Sequence, residues 1–112
     1  MKIILSICFF FLFLSVTTTA QKIFSVSYKS QADVTVYVVS HESQADLTVF
    51  KVQYASWAEG NDGSWFFVQY SGQADKKVFF TTYASEAQLK IFFVPSKSRA
   101  GWRNGEKRYL MY

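Results

Sequence analysis

Few side chains in this sequence have the types and spacing for chemistry. His41 is the single histidine, and with Glu42 beside it and a nearby serine it supplies the members of a nucleophile, base and acid triad. Asp33, Asp46 and Asp75 each end a Gln-Ala-Asp triplet; brought together, such carboxylates would bind a cation or share acid and base work. Asn61, Asp62 and Gly63 put two oxygen-bearing side chains next to a turn, without the alternation and final glutamate of a calcium loop. Toward the C-terminus, Lys97, Arg99, Trp102, Arg103, Lys107, Arg108 and Tyr109 mix cations with rings, the combination that grips anionic backbones and stacks on flat groups. No glycine-rich phosphate loop or metal-spaced histidines occur, and the one cysteine, Cys8, lies in the first 20 residues. The expected cofactor is therefore none: zinc, nucleotide and thiol chemistry have no support.

The elements that must position these residues come from a repeat. Gln-Ala-Asp stands at 31–33, 44–46 and 73–75, with looser copies at Trp57-Ala58-Glu59, Glu86-Ala87-Gln88 and Arg99-Ala100-Gly101, spaced by 13, 13, 16, 13 and 13 residues. The long interval contains Gly60-Asn61-Asp62-Gly63, an enlarged turn. Ala32, Ala45, Ala58, Ala74, Ala87 and Ala100 share one column, so another segment must pass close there.

Two-residue spacing then marks strands. Aromatic residues Phe24, Tyr37, Phe50, Phe66, Phe79 and Phe92 form one column. Two positions on is Val26, Val39, Val52, Val68, Thr81 and Val94, and two beyond that Tyr28, His41, Tyr54, Tyr70, Tyr83 and Ser96. This ladder predicts one packed strand face, with a second, partly buried face through Ile23, Val36, Val49, Trp65, Val78 and Ile91. Each unit reads as a strand of roughly seven residues and a bend in which Ser and Asp side chains bond nearby amides. The expected fold is all-β, a single small domain of six strand-bend repeats of 13 residues. His41 fills a tyrosine slot and the aspartates recur with the repeat, so the sequence predicts no enzyme. A hydrolase using Asp33, Asp46 and Asp75 is the remaining catalytic alternative.

Residues 1–20 carry Lys2, an apolar run from Ile3 to Val16 and small residues at Thr18 and Ala20, the layout of a secretory signal cleaved between Ala20 and Gln21. The run is shorter than the roughly 20 residues of a spanning helix, so no membrane span is expected after cleavage. A large residue before Cys8 argues against lipidation. The domain is then residues 21–112, secreted or periplasmic, without disulfides, and held by packing around 18 aromatic residues. Residues 21–75 hold three basic and six acidic side chains; residues 76–112 hold eight and two. Either late repeats neutralise early ones in the fold, or the basic third faces an anionic partner, an envelope polymer or an acidic protein. A nucleic acid is the partner least favoured. The alternative for the C-terminal stretch is a closing segment in which Trp102 and Tyr109 pack into the core.

Three features coincide: recurring Gln-Ala-Asp before apolar strands, the Gly60-Asn61-Asp62-Gly63 insertion, and the ending Ala100-Gly101-Trp102-Arg103-Asn104 before a basic, aromatic tail. Together they resemble the septoil knot domain family across the whole of residues 21–112. The resemblance implies a deeply knotted β fold, a torus-type knot with seven crossings. It carries over no activity and no catalytic residue. The function expected is an exported, non-enzymatic structural or binding module; the alternative is a binder of an anionic partner through the basic, aromatic C-terminal third.

Overall fold

Each unit of the repeat becomes one short strand and one 3-10 turn. The computed structural model describes residues 21–58 and 60–112. The strands are β1 (Lys22–Ser25), β2 (Val34–Val38), β3 (Leu47–Lys51), β4 (Ser64–Phe67), β5 (Lys76–Phe80), β6 (Leu89–Phe93) and β7 (Gly101–Trp102). One-turn 3-10 segments, such as Lys29–Gln31 and Ser71–Gln73, separate them, and a longer 3-10 helix, Gly105–Met111, follows β7. The strands are four or five residues long before β7, shorter than the seven predicted, because the chain leaves the sheet to cross a neighbour.

All pairings among β1 to β6 are parallel, and the sheet runs β4-β1-β5-β2-β6-β3-β7, with β3 also pairing β4 to close a six-stranded barrel. Only β7 is antiparallel, on β3. In this order the chain moves two places at each step. The strands β1, β2 and β3 take alternate places; β4 then starts a second circuit, and β5, β6 and β7 fall into the gaps of the first. A path that circles twice through seven places is the path of a seven-crossing torus knot, an exception to the rule that chains do not thread.

Register explains why 13 residues suffice. Parallel neighbours ordinarily need a crossover of a dozen residues or more to return along the strand. Here Ser25, the end of β1, lies level with Val78 of β5, and Val78 with Val34, the start of β2. The same holds from Val38 through Ile91 to Leu47, and from Phe80 through Val36 to Leu89. The strands are staggered so steeply that each link only hops sideways over one intervening strand, a distance of about 10 Å. The Lys29–Gln31 turn packs over β5 and the Glu42–Gln44 turn over β6.

This corrects the assignment of faces. The barrel interior is filled by the second face: Ile23, Val36, Val49, Trp65, Val78 and Ile91, all at most 1% exposed, with Val34, Leu47, Leu89 and Met111. The aromatic column from Phe24 to Phe92 points outward and is half-buried beneath the crossovers. Aliphatic side chains make up most of the interior, with Trp65 among them, and the crossovers cover the outward rings. The third column lies in the turns: Tyr28, Tyr54, Tyr70 and Tyr83 precede their 3-10 turns and are exposed, as is His41.

The C-terminal helix plugs the end of the barrel where the strands begin. Met111 enters the core, Gln21 Nε2 donates to its carbonyl at 2.9 Å, and Asn61 Nδ2 donates to the Arg108 carbonyl at 3.0 Å. At the opposite mouth Lys51 Nζ sits 4.6 Å from the centre of the Phe93 ring and 5.5 Å from that of Phe67.

Candidate functional site

The three triplet aspartates do not make a catalytic cluster; each is spent on a different strand. Asp33 Oδ2 accepts from the Lys77 amide at 2.9 Å, Asp46 Oδ2 from the Lys90 amide at 2.9 Å, and Asp75 Oδ2 from the Lys22 amide at 3.0 Å. In return each aspartate amide donates to the carbonyl of the same lysine, at 2.7 Å in all three cases. The sequence predicted aspartates bonding nearby amides in a local bend. Their partners instead lie 44 or 53 residues away, because the crossover ends beside a strand of the other circuit. In the fifth unit Gln88 does the same to Thr35, its Oε1 accepting from the Thr35 amide at 3.0 Å. Among the described residues no three His, Cys, Asp or Glu side chains are grouped to hold a metal ion.

His41 precedes the Glu42–Gln44 turn, where its carbonyl accepts from the Gln44 amide at 3.0 Å, the role that Tyr28, Tyr54, Tyr70 and Tyr83 play in theirs. Asn61 and Asp62 act as turn residues: Asp62 Oδ1 accepts from the Ser64 amide at 3.2 Å, and Asn61 is buried against the C-terminal helix. Gly63 has no room for a side chain, since a Cβ there would stand 2.3 Å from the Thr48 carbonyl oxygen.

The seven residues of the basic, aromatic stretch divide. Arg99 forms an ion pair with Glu42 at 2.6 Å, and Lys107 one with Asp46 at 3.3 Å while also donating to the Gln88 carbonyl at 3.0 Å. Late basic repeats do neutralise early acidic ones at these two points. Trp102 packs against the core and its Nε1 donates to the Asn61 carbonyl at 2.9 Å. Tyr109, which the closing-segment reading placed in the core, is 68% exposed. Lys97, Arg103 and Arg108 are exposed, and among the described residues none of them has a carboxylate partner. The stretch thus offers three cations and Tyr109 to solvent, with Tyr112 beside them in sequence.

Sequence reading passes over Lys22, Lys77 and Lys90, the strand residues the aspartates hold. Their signal is a column of the repeat occupied only by Lys or hydroxyl residues: Lys22, Thr35, Thr48, Ser64, Lys77 and Lys90.

Comparison with known proteins agrees with this architecture. A family model described as the 7(1) septoil knot domain matches residues 20–103. The chain belongs to the septoil knot domain family. The septoil knot match takes in all seven strands and stops before the Gly105–Met111 plug, so Lys107, Arg108 and Tyr109 lie outside it. No curated protein and no solved structure matches the chain. The signal-peptide reading and Cys8 fall on residues 1–20, outside the described residues; among the described ones no helix is long and apolar enough to cross a membrane.

Proposed function

We propose that this septoil knot protein is an exported, non-enzymatic binding module that holds an anionic partner through the cations of its C-terminal third. The observation that carries this reading is the unequal fate of those cations. Arg99 and Lys107 are committed to Glu42 and Asp46, while Lys97, Arg103 and Arg108 face solvent with Tyr109. Exposed charges without a partner contribute little to folding and much to attracting a charge of opposite sign. The secretory layout of residues 1–20 supports export, and the engagement of the aspartates with backbone amides argues for a non-catalytic role.

The test is co-sedimentation of the purified protein with envelope fractions and defined polyanions across a salt series, beside a variant carrying Lys97→Gln, Arg103→Gln and Arg108→Gln. Binding is expected at low salt, weakening as salt rises and in the variant. Absence of binding at low salt contradicts the reading and leaves a structural domain.

A further inference from the structure

Two grooves on the barrel surface turn out to be the same groove, repeated. The larger, of about 630 Å³, is lined by Phe66, Val68, Tyr70 and Gln73 of the fourth unit, with Ala55 and Lys22 closing its sides. The smaller, of about 360 Å³, is lined by Phe24, Val26, Gln31, Ser71 and Lys77. By repeat position Phe24 corresponds to Phe66, Val26 to Val68, Gln31 to Gln73, Ser71 to Ala55 and Lys77 to Lys22. The two belong to β4 and β1 and their crossovers, which are adjacent in the sheet, so the grooves are neighbours.

The Gln-Ala-Asp triplet builds them. Its aspartate fastens the crossover to the backbone of the lysine on the strand beneath, and its glutamine stays exposed at the rim. Each groove therefore combines an aromatic floor, the triplet glutamine and one lysine; the larger adds Gln69, and among the described residues no carboxylate lines either. Where the triplet departs, the corresponding positions are occupied differently. In the sixth unit Arg99 replaces the glutamine and meets Glu42, the counterpart of Ala55, at 2.6 Å. In the third, Trp57 replaces it and packs edge-on against Tyr54, with ring centres 4.7 Å apart. The second unit keeps the full set: Tyr37, Val39, Gln44, Ala84 and Lys90.

We propose that these grooves are consecutive subsites for an acidic polysaccharide, separate from the C-terminal cations. A sugar ring presents C–H groups that lie against an aromatic face, hydroxyls that pair with an amide, and in a uronic acid one carboxylate per unit for one lysine. Repetition of the subsite matches repetition in the ligand, and linked occupation raises affinity without any new contact.

Calorimetric titration with polygalacturonate tests the assignment, with dextran as the uncharged probe and poly-dT as the nucleic-acid probe. The double variant Gln31→Trp and Gln73→Trp copies the residue found at position 57, fills both grooves and leaves the charge unchanged. It is expected to lose at least about tenfold in affinity, as is Lys22→Gln with Lys77→Gln, while the Lys97, Arg103 and Arg108 variant retains polygalacturonate binding at these grooves. Unchanged affinity in both groove variants overturns the proposal, as does dextran binding equal to polygalacturonate or tighter binding of poly-dT.

Discussion

Asp33 clasps one residue of β5 on both sides of its backbone: the Asp33 amide donates to the Lys77 carbonyl at 2.7 Å, and Asp33 Oδ2 accepts from the Lys77 amide at 2.9 Å. The two residues are 44 apart in sequence and belong to different circuits of the chain. Replacing the side chain removes a charged acceptor at the seam between circuits. Asp33→Ala is expected to lower stability by about 1–2 kcal/mol, and Asp33→Asn, which keeps an acceptor oxygen, by less. Denaturant midpoints for the two variants check the order; an Asp33→Ala midpoint equal to wild type contradicts it.

Gly63 and Gly60 separate steric from conformational demand. Both have positive φ, 91° and 74°, but a Cβ at Gly63 meets the Thr48 oxygen at 2.3 Å and the Gly101 nitrogen at 3.1 Å, while one at Gly60 meets nothing within 4 Å. Gly60→Ala is expected to cost about 1–2 kcal/mol, the ordinary penalty of left-handed backbone. Gly63→Ala pushes β3, β4 and β7 apart where they converge and is expected to cost about 3 kcal/mol or more, or to prevent folding. Thermal melts of the two variants measure the difference.

The open mouth of the barrel is closed by a charge. The inward positions at that end are Ser25, Val38, Lys51, Phe67, Phe80 and Phe93, and the Lys51 ammonium rests over two of the three rings. Lys51→Gln is expected to lose about 0.5–1 kcal/mol, the worth of an exposed cation and ring contact. Added salt leaves that difference largely in place, because the partner is a ring quadrupole and not a screened counter-charge; unfolding of both proteins at two ionic strengths tests this.

Much of this architecture is legible in the residues. The recurring alanines mark where one segment crosses another, the Gly60 to Gly63 insertion falls where β4 starts late, and the period of two gives strands. The inner face was hidden because both faces are apolar: crossovers cover the outside of the sheet, so Phe24 and Phe66 look as buried as Ile23 and Trp65. Strand order was hidden too, since a periodic pattern records what each strand buries and not which strand lies beside it. Asp33 reads as a turn residue for the same reason; its partner is brought to it by the second circuit. Of the candidate stretch, exposure of Lys97 and Arg103 follows from their charge, whereas the pairing of Lys107 with Asp46 depends on the helix folding back across the barrel end.

That helix is a further point of attack. Ending the chain after Asn104 removes Met111 from the core and leaves Gln21 and Asn61 without their carbonyl partners. The expected loss is about 3–5 kcal/mol, from one buried side chain and two hydrogen bonds at part-buried or buried sites. A truncated protein as stable as the full one contradicts the plug.

The most direct measurement is backbone amide hydrogen exchange on the native protein, because the account rests on the repeated aspartate acting as a clamp between circuits. The amides of Lys22, Lys77 and Lys90 are predicted to exchange as slowly as those of the barrel strands, and Asp33→Ala to accelerate Lys77 far more than Lys22 or Lys90. Exchange of all three at the rate of the exposed turns, for example that of Ser98, would contradict it.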